Sequence, residues 1–336
     1  MNGLQFDPAR PLDLIAVGRL CIDLNANETG RPMEETLTFT KYVGGSPANI
    51  VIGAARLGMR TGFIGKISDD QMGRFIRTYL QRNGIDDSQV SVDQTGAVTG
   101  LAFTEIKSPQ ECSILMYRDH VADLLLSTEE ISEEYIRKSK ALLISGTALA
   151  QSPSREAVFV ALEFARKHDV TVFFDLDYRP YTWKSAAETA VYYNLAAEKC
   201  DCIIGTREEF NMMESLYNVT DADDEATVNR WFSHQAKLVV IKHGGSGSIS
   251  YTADGQKYRS GIFPAKVLKT FGAGDSYASA FIHSLMRGES VGEAMRRGSA
   301  SASIVISRHS CSDAMPTLDE LEAFLLSNEE ITSGAE

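Results

Sequence analysis

From residue 141 onward, the chain alternates short apolar runs with longer segments of helical length. The runs ALLISG, VTVFFDLD, CDCIIG and KLVVIKHG have the composition of buried strands, whereas SREAVFVALEFARKH has the length of a helix. Strands that alternate with helices predict a parallel sheet covered on both faces, because each crossover lays a helix against the sheet. An apolar run at residues 12–18 is the predicted first strand.

Two segments in the N-terminal part of the chain do not follow this pattern. Residues 25–41 are polar and rich in Thr and Glu, and residues 90–118 contain the β-rich runs TGLAFTEI and CSILMY without a helical period between them. We expect them to form a lid, because ligands of open α/β sheets lie beyond the carboxyl ends of the strands, where a flap can close. The predicted fold is α/β: one domain over residues 1–336, with a doubly wound, mostly parallel sheet flanked by helices and a small β-sheet lid from about 25–41 and 90–118.

Charge and composition disfavour several kinds of partner. A formal net charge of -12 argues against nucleic acid, whose phosphates need a basic surface. The polar N-terminal residues and the lack of a long apolar stretch predict no membrane partner and a cytoplasmic location. The five cysteines are scattered and lack zinc or redox spacing, which favours idle thiols: Cys21, Cys112, Cys200, Cys202 and Cys311.

The segment TFGAGD at residues 270–275 opens an apolar helix, YASAFIHSLM. Small residues before a helix let backbone N–H groups face a ligand, and the helix N-terminus adds positive potential, which suits a developing phosphoryl charge. Asp275 would lie in the first turn, where it could accept the proton of an attacking hydroxyl while the helix end keeps it ionised. An isolated Gly-Ala-Gly-Asp, however, is more often a tight turn with an N-cap aspartate.

A second glycine-rich segment, GGSPAN, occupies residues 44–49. The paired Gly44 and Gly45 allow a ligand to approach the backbone, and Asn49 offers both a donor and an acceptor. By itself this segment, too, is most often a turn before a helix.

The two segments together resemble the N- and C-terminal signatures of the ribokinase-like (PfkB) family of carbohydrate kinases. They occur in the family's order and at opposite ends, so the resemblance covers nearly the whole chain. It implies the family's doubly wound α/β fold with a β lid, ATP-dependent phosphorylation of a sugar with Mg²⁺ carried by ATP, and compatibility with a homodimer that pairs through the lid.

The resemblance also implies roles for the matching residues. Asp275 would be the catalytic base, and the anion hole would be the backbone of Gly272, Ala273 and Gly274. Sugar hydroxyls would be held by Asp23, Gly44, Gly45 and Asn49. The nucleotide loop would contain Lys242, Gly244 and Gly247. An element near magnesium and phosphate would contain Thr206, in place of the family's Asn, and Glu209, which matches.

Three cations favour an acidic sugar as the acceptor. Arg179 lies in DLDYRPYTW, which resembles an element of the branch that phosphorylates sugar acids, and a guanidinium can bind a carboxylate bidentately. Arg118, in the lid, and Lys66, at the end of a strand, are further candidates, although any of the three could form a surface ion pair instead. The motifs resemble most those of kinases acting on the 6-hydroxyl of 5-dehydro-2-deoxy-D-gluconate in myo-inositol catabolism. Kinases of 2-dehydro-3-deoxygluconate or of neutral sugars remain alternatives.

Lys269 departs from the family pattern, in which an Asp at this position helps to hold a monovalent cation. Its ammonium group could supply that charge beside the nucleotide, or it could point to solvent.

A regulator that binds sugar without catalysis is a further alternative. Such a protein would be expected to lose the base or the anion hole, and Asp275, Gly272 and Gly274 are all present, so an enzyme is predicted.

Overall fold

The computed structural model describes residues 3–109, 111–217 and 223–331. Along these residues the strands are β1 (Leu12–Val17), β2 (Cys21–Ala26), β3 (Phe39–Gly44), β4 (Thr61–Ile67), β5 (Asp86–Val92), β6 (Gly100–Ile106), β7 (Cys112–Tyr117), β8 (Ser139–Ser145), β9 (Thr171–Asp175), β10 (Cys202–Thr206), β11 (Leu238–Lys242), β12 (Ser248–Thr252) and β13 (Lys257–Ser260). The α-helices are α1 (Ser46–Arg56), α2 (Gln71–Arg82), α3 (Glu133–Arg137), α4 (Ser154–Lys167), α5 (Ala186–Ala197), α6 (Arg207–Glu214), α7 (Asp224–Phe232), α8 (Ala273–Met286), α9 (Val291–Ile306) and α10 (Leu318–Ser327).

Nine strands form the central sheet, in the order β13-β12-β11-β10-β9-β8-β1-β4-β5. The pairs from β11 through β10, β9, β8, β1 and β4 to β5 are all parallel, as the alternating pattern predicts. The hairpin of β12 and β13 adds two antiparallel strands at one edge. The carboxyl ends of the parallel strands therefore lie along one side of the sheet.

Side chains of successive strand residues enter two separate cores. Ile15 and Val17 of β1 pack with one set of buried apolar residues, whereas Leu14 and Ala16 pack with another. The first core includes residues of α4, α5 and α7, and the second includes residues of α1, α8 and α9. This alternation follows from the two-residue period of a strand and accounts for the apolar composition of strands that are buried on both faces.

A second, four-stranded sheet with the order β3-β2-β6-β7 forms the lid. Its bounds differ from the predicted ones. Residues 21–24 and 42–44 also belong to it, as parts of β2 and β3, while residues 90–92 belong to β5 of the central sheet. The β7 side chains alternate between half-buried and exposed, so that one face of the lid points toward the body of the protein and the other toward solvent.

The structure also shows the state of the cysteines and the length and apolarity of the helices. All five cysteines are free thiols, and only Cys112 is not buried. None of the helices in the described ranges is both long enough and apolar enough to cross a bilayer.

Candidate active site

Two adjoining cavities lie between the carboxyl ends of the parallel strands, the beginning of α8 and the inner face of the lid. The larger, of about 420 Å³, is lined by Asp175, Glu209 and Lys242 among others. The smaller, of about 70 Å³, includes Asp23 and Asn49 in its lining. Asp275, Gly272 and Arg179 line both cavities. The segments GGSPAN and TFGAGD, which are far apart in sequence, are thus brought together.

The N-terminus of α8 faces the larger cavity. Gly272 precedes the helix with φ +78°, and a β-carbon there would lie 3.0 Å from the Cys311 sulfur. Since the helix begins at Ala273, the backbone N–H groups of its first turn have no intrahelical acceptors. A β-carbon at Gly274 would lie 3.2 Å from Lys242 Nζ, so the ammonium group is next to this helix end. Such an arrangement suits the binding of an anion.

Asp275 lies at the junction of the two cavities. Its Oδ2 accepts a hydrogen bond of 2.8 Å from the Asn49 amide, whose Oδ1 has no partner among the described residues. Burial and the nearby Asp177 carboxylate raise the pKa of Asp275, although hydrogen bonds from Asn49 and Ser46 oppose this. The sequence predicted a carboxylate kept ionised by the helix end. In the structure, burial acts against that effect and raises the pKa of Asp275, which makes its carboxylate a better proton acceptor.

The glycine pair at residues 44 and 45 makes room for other residues. A β-carbon on Gly44 would lie 2.0 Å from Asp23 Oδ1. One on Gly45, where φ is +106°, would lie 2.4 Å from the carbonyl oxygen of Arg19. Gly45 lines the smaller cavity, whereas Gly44 is not among its lining residues. Their visible contribution is steric: they allow Asp23 and Arg19 to face the cavity.

Arg179 lies in the cleft, as the sugar-acid motif predicts. Its Nη2 is 2.7 Å from Asp177 Oδ1, and the Arg179 side chain is 34% exposed, which leaves part of the guanidinium open to the cavities. Asp177 has φ +37°, a conformation that Asp tolerates better than most residues. The ion pair therefore orients Arg179 at the cleft without burying it.

Lys66 and Arg118 do not line either cavity, so their predicted role in substrate binding finds no support in this geometry. Lys66 Nζ is 2.8 Å from Glu130 and donates to the carbonyl of Leu125. Arg118 is buried and bound to Asp123 at 2.6 Å. These ion pairs connect structural elements beside the cleft, and their side chains are mostly buried, unlike the surface ion pairs that the sequence analysis had considered.

Some of the predicted nucleotide residues line the larger cavity, and others lie outside it. Thr206, Glu209 and Lys242 line the cavity. Both oxygens of Glu209 accept backbone hydrogen bonds, from Thr206 at 2.7 Å and from Tyr178 at 2.9 Å, so Glu209 also fixes the segment that carries Arg179. Gly244 lies in an exposed turn after β11, and a β-carbon at Gly247 would lie 2.1 Å from the carbonyl oxygen of Ser260. Neither glycine lines a cavity described above.

Lys269 is fully buried, so it does not contact a nucleotide directly and does not point to solvent. Its Nζ donates to the carbonyl of Phe271 at 2.7 Å and lies 3.5 Å from that of Val305. No carboxylate lies within ion-pair distance of this ammonium group in the described part of the chain. Through these contacts with backbone carbonyls, Lys269 supports the loop before α8.

Asp175 and Arg19 are among the residues of the site that the sequence analysis missed. Asp175, at the end of β9, accepts a hydrogen bond of 2.9 Å from Ser46, and burial raises its pKa to about 7. Its position at the carboxyl end of a predicted strand was an available signal. Arg19, which is only 6% exposed, lines the smaller cavity; it lies in the segment GRLCIDL with Asp23, where the sequence analysis assigned it no role. Among the described residues, no three His, Cys, Asp or Glu side chains form a cluster suited to a metal ion.

Comparisons with known proteins agree on the family and the fold. The family model described as "pfkB family carbohydrate kinase" matches residues 12–318. A relative from Bacillus anthracis named 5-dehydro-2-deoxygluconokinase is 74% identical over 331 residues, which cover 98% of this chain and 100% of the relative.

Two solved structures share the fold at low identity. An E. coli protein described as a putative ribokinase II in complex with ATP and Mg²⁺ has a TM-score of 0.85 and 20% identity, covering 94% of this chain and 99% of its own. A fructokinase double mutant from Vibrio cholerae O395, bound to fructose, ADP and potassium, has a TM-score of 0.80 and 21% identity, with coverages of 94% and 99%.

A double-mutant cycle tests the steric role of Gly44. Gly44→Ala should destabilise the protein by about 1–3 kcal/mol, because its methyl group would overlap the Asp23 carboxylate. In an Asp23→Ala background, the same change should cost less than about 0.5 kcal/mol. The measurement is denaturant unfolding of the four proteins. Equal costs in both backgrounds would show that the methyl group meets some other obstacle.

Proposed function

The chain belongs to the pfkB family of carbohydrate kinases, and we propose that it transfers the γ-phosphoryl group of ATP to the 6-hydroxyl of 5-dehydro-2-deoxy-D-gluconate. The main support for this proposal is the 74% identity to 5-dehydro-2-deoxygluconokinase, which extends over 98% of the chain. The exposed guanidinium of Arg179 in the cleft supports an acceptor with a carboxylate. The relatives favour this substrate over 2-dehydro-3-deoxygluconate.

In this proposal the two cavities divide the substrates between them. The sugar acid occupies the smaller cavity, where Asp23 and the free Oδ1 of Asn49 accept hydrogen bonds from its hydroxyls. The phosphates of ATP lie in the larger cavity, near Lys242 and the N-terminus of α8. The reacting hydroxyl then lies between them, beside Asp275, which lines both cavities.

The transfer forms a bond between the hydroxyl oxygen and the γ-phosphorus and breaks the bond from that phosphorus to the β,γ-bridging oxygen. Asp275 accepts the proton from the hydroxyl, and ADP leaves. The backbone N–H groups at the start of α8 and the Lys242 ammonium stabilise the negative charge on the phosphoryl group. These groups are fixed before the reaction, so little reorganisation is needed.

Mg²⁺ would enter with ATP and be held mostly by phosphate oxygens and water. The site fits this arrangement: Asp175 and Glu209 line the larger cavity, but the described residues do not form a cluster that could hold a metal ion without the nucleotide. Magnesium binding should therefore depend on ATP.

The lid would protect the reaction from water. Ile114 and Met116, on the inner face of β7, line the smaller cavity, so the lid forms part of its apolar wall. Closure over a bound sugar would limit hydrolysis of ATP. The alternative of a non-catalytic sugar-binding regulator finds no support, because Asp275 and the backbone anion site are both present.

An acceptor comparison tests the proposed function. In an assay of ADP release with Mg-ATP, we expect 5-dehydro-2-deoxygluconate to be preferred over 2-dehydro-3-deoxygluconate, ribose and fructose. Asp275→Asn should lower kcat by roughly 10²- to 10⁴-fold, because it removes the base but keeps the side-chain shape. Preference for the second acid would preserve the role of Arg179 but refute the substrate. Preference for a neutral sugar would refute both.

We also propose that Lys269 makes the enzyme independent of potassium. The fructokinase from Vibrio cholerae binds a potassium ion, whereas here a buried ammonium group already interacts with the carbonyls of Phe271 and Val305. A fixed positive charge below the loop would stabilise the anion site in the manner of a bound cation.

Replacement of tetramethylammonium by potassium at constant ionic strength should therefore change kcat by less than about twofold, because no cation site needs filling. Lys269→Met should lower kcat, since it leaves the Phe271 carbonyl without its donor. Circular dichroism would check that the variant is folded. A several-fold activation of the unmodified enzyme by potassium would contradict the proposal.

A homodimer through the outer face of the lid is a further proposal. Tyr117 is 58% exposed and Leu115 49% exposed on this face, and Phe39, Phe103 and Tyr117 form a row of edge-to-face aromatic contacts. An exposed apolar patch of this kind is typical of an interaction surface.

The double substitution of Leu115 and Tyr117 by Lys should convert the dimer to a monomer in sedimentation velocity, since charges would then oppose burial of the patch. Leu326→Lys is a matched control, because this leucine is 88% exposed on α10, away from the lid. A monomeric unmodified protein would refute the dimer, and a dimer unaffected by the lid substitutions would place the interface elsewhere.

A further inference from the structure

Arg19 is placed in the smaller cavity by the backbone conformation around it. It follows Gly18, whose φ is +138°, and its carbonyl oxygen occupies the space that a side chain at Gly45 would need. Only 6% of the residue is exposed, and it lines the smaller cavity together with Asp23, Asn49 and Asp275. The guanidinium is therefore held at the place where the acceptor would bind.

The hydrogen-bonding capacity of Arg19 is largely unused in the described structure. Its Nε is buried and has no partner, its Nη1 is 3.9 Å from the Met116 sulfur, and its Nη2 is 3.6 Å from Asp177 Oδ2. A guanidinium has five N–H donors, and an ordinary N–H···O hydrogen bond is about 2.7–3.2 Å long. Burying donors without acceptors costs stability, so an acceptor from outside the chain is expected.

Asp177 cannot satisfy Arg19 without giving up other contacts. One of its oxygens is 2.7 Å from Arg179, and the other accepts the hydroxyls of Ser145 and Thr147, each at 3.3 Å. Asp177 thus lies between two guanidinium groups, and it is closely paired with only one of them. It fixes the spacing of Arg19 and Arg179 and leaves donors of Arg19 available.

We propose that Arg19 is a second carboxylate-binding residue, which acts with Arg179 to select an acceptor that carries a carboxylate. Asp23, Asn49 and Asp275 offer acceptors in this cavity, and these suit the hydroxyls of a sugar. Arg19 offers donors alone, which suit the oxygens of a carboxylate. The inference rests on the proposed function, and it adds a specificity-determining residue to which the sequence analysis assigned no role.

The test compares the sugar acid with its primary amide as acceptors, for the unmodified enzyme and for Arg19→Met. The KM for the acid should rise roughly 10- to 100-fold in the variant, with kcat and the KM for ATP nearly unchanged, because a charge-assisted contact to the bound substrate is lost. The KM for the amide should change much less. The variant should fold, because Asp177 keeps Arg179, Ser145 and Thr147 as partners.

Arg19→Lys is a second variant in case Arg19→Met does not fold. It keeps the charge but loses the planar fork, so its selectivity for acid over amide should lie below that of the unmodified enzyme. The paired change Arg118→Met and Asp123→Asn is the matched control, because it removes another buried guanidinium of this region outside both cavities. The control should leave the ratio of acid to amide unchanged.

The outcomes separate the inference from the proposed function. If the unmodified enzyme phosphorylates the acid no better than the amide, the acceptor site does not recognise a carboxylate, and the inference is refuted while the proposed function stands. If it phosphorylates neither, the proposed function is refuted together with the inference that rests on it. If it prefers the acid but the Arg19 variants lose activity equally on both acceptors, only the role of Arg19 is refuted. A loss specific to the acid supports the inference.

Discussion

Parallel pairing of the central strands determines where the polar groups of the active site can lie. Because β8, β9, β10 and β11 run in one direction, their carboxyl ends meet at one side of the sheet. Asp175, Thr206 and Lys242 end three of these strands and line one cavity. The crossover helices cover both faces of the sheet and exclude water from them. Backbone and side-chain polar groups can therefore face a ligand at the side where the carboxyl ends of the strands meet.

The site concentrates charge in a chain that is acidic overall. Asp175, Asp177 and Asp275 line the larger cavity, and burial raises the pKa values of Asp175 and Asp275. Lys242 and Arg179 provide compensating positive charge next to them. With a net charge of -12, long-range attraction cannot bring an anionic sugar or nucleotide to the site. Local cations and the N-terminus of α8 must therefore supply the binding energy.

Buried cations have three different functions around this cleft, and their partners distinguish them. Arg118 is paired with Asp123 and contributes to structure. Lys269 donates to backbone carbonyls and supports the loop before α8. Arg19 has unused donors beside the acceptor cavity, which is the arrangement expected of a binding residue. In the sequence, all three are simply basic residues near predicted strand or loop ends.

The sequence by itself determined the alternation of strands and helices, the family and the two motifs that carry Asp275 and Asn49, because periodicity and glycine placement are local properties of a chain. It also indicated Arg179, through the element that follows β9. The tertiary structure decided which cations reach the cleft: Lys66 and Arg118 lie 2.8 and 2.6 Å from the carboxylates of Glu130 and Asp123, whereas Arg19 lines the smaller cavity and is 3.6 Å from its paired carboxylate, that of Asp177. It also decided that Gly44 and Gly45 make room for Asp23 and Arg19. Such facts depend on distances between residues far apart in the chain, and only the packing of sheet, helices and lid sets those distances.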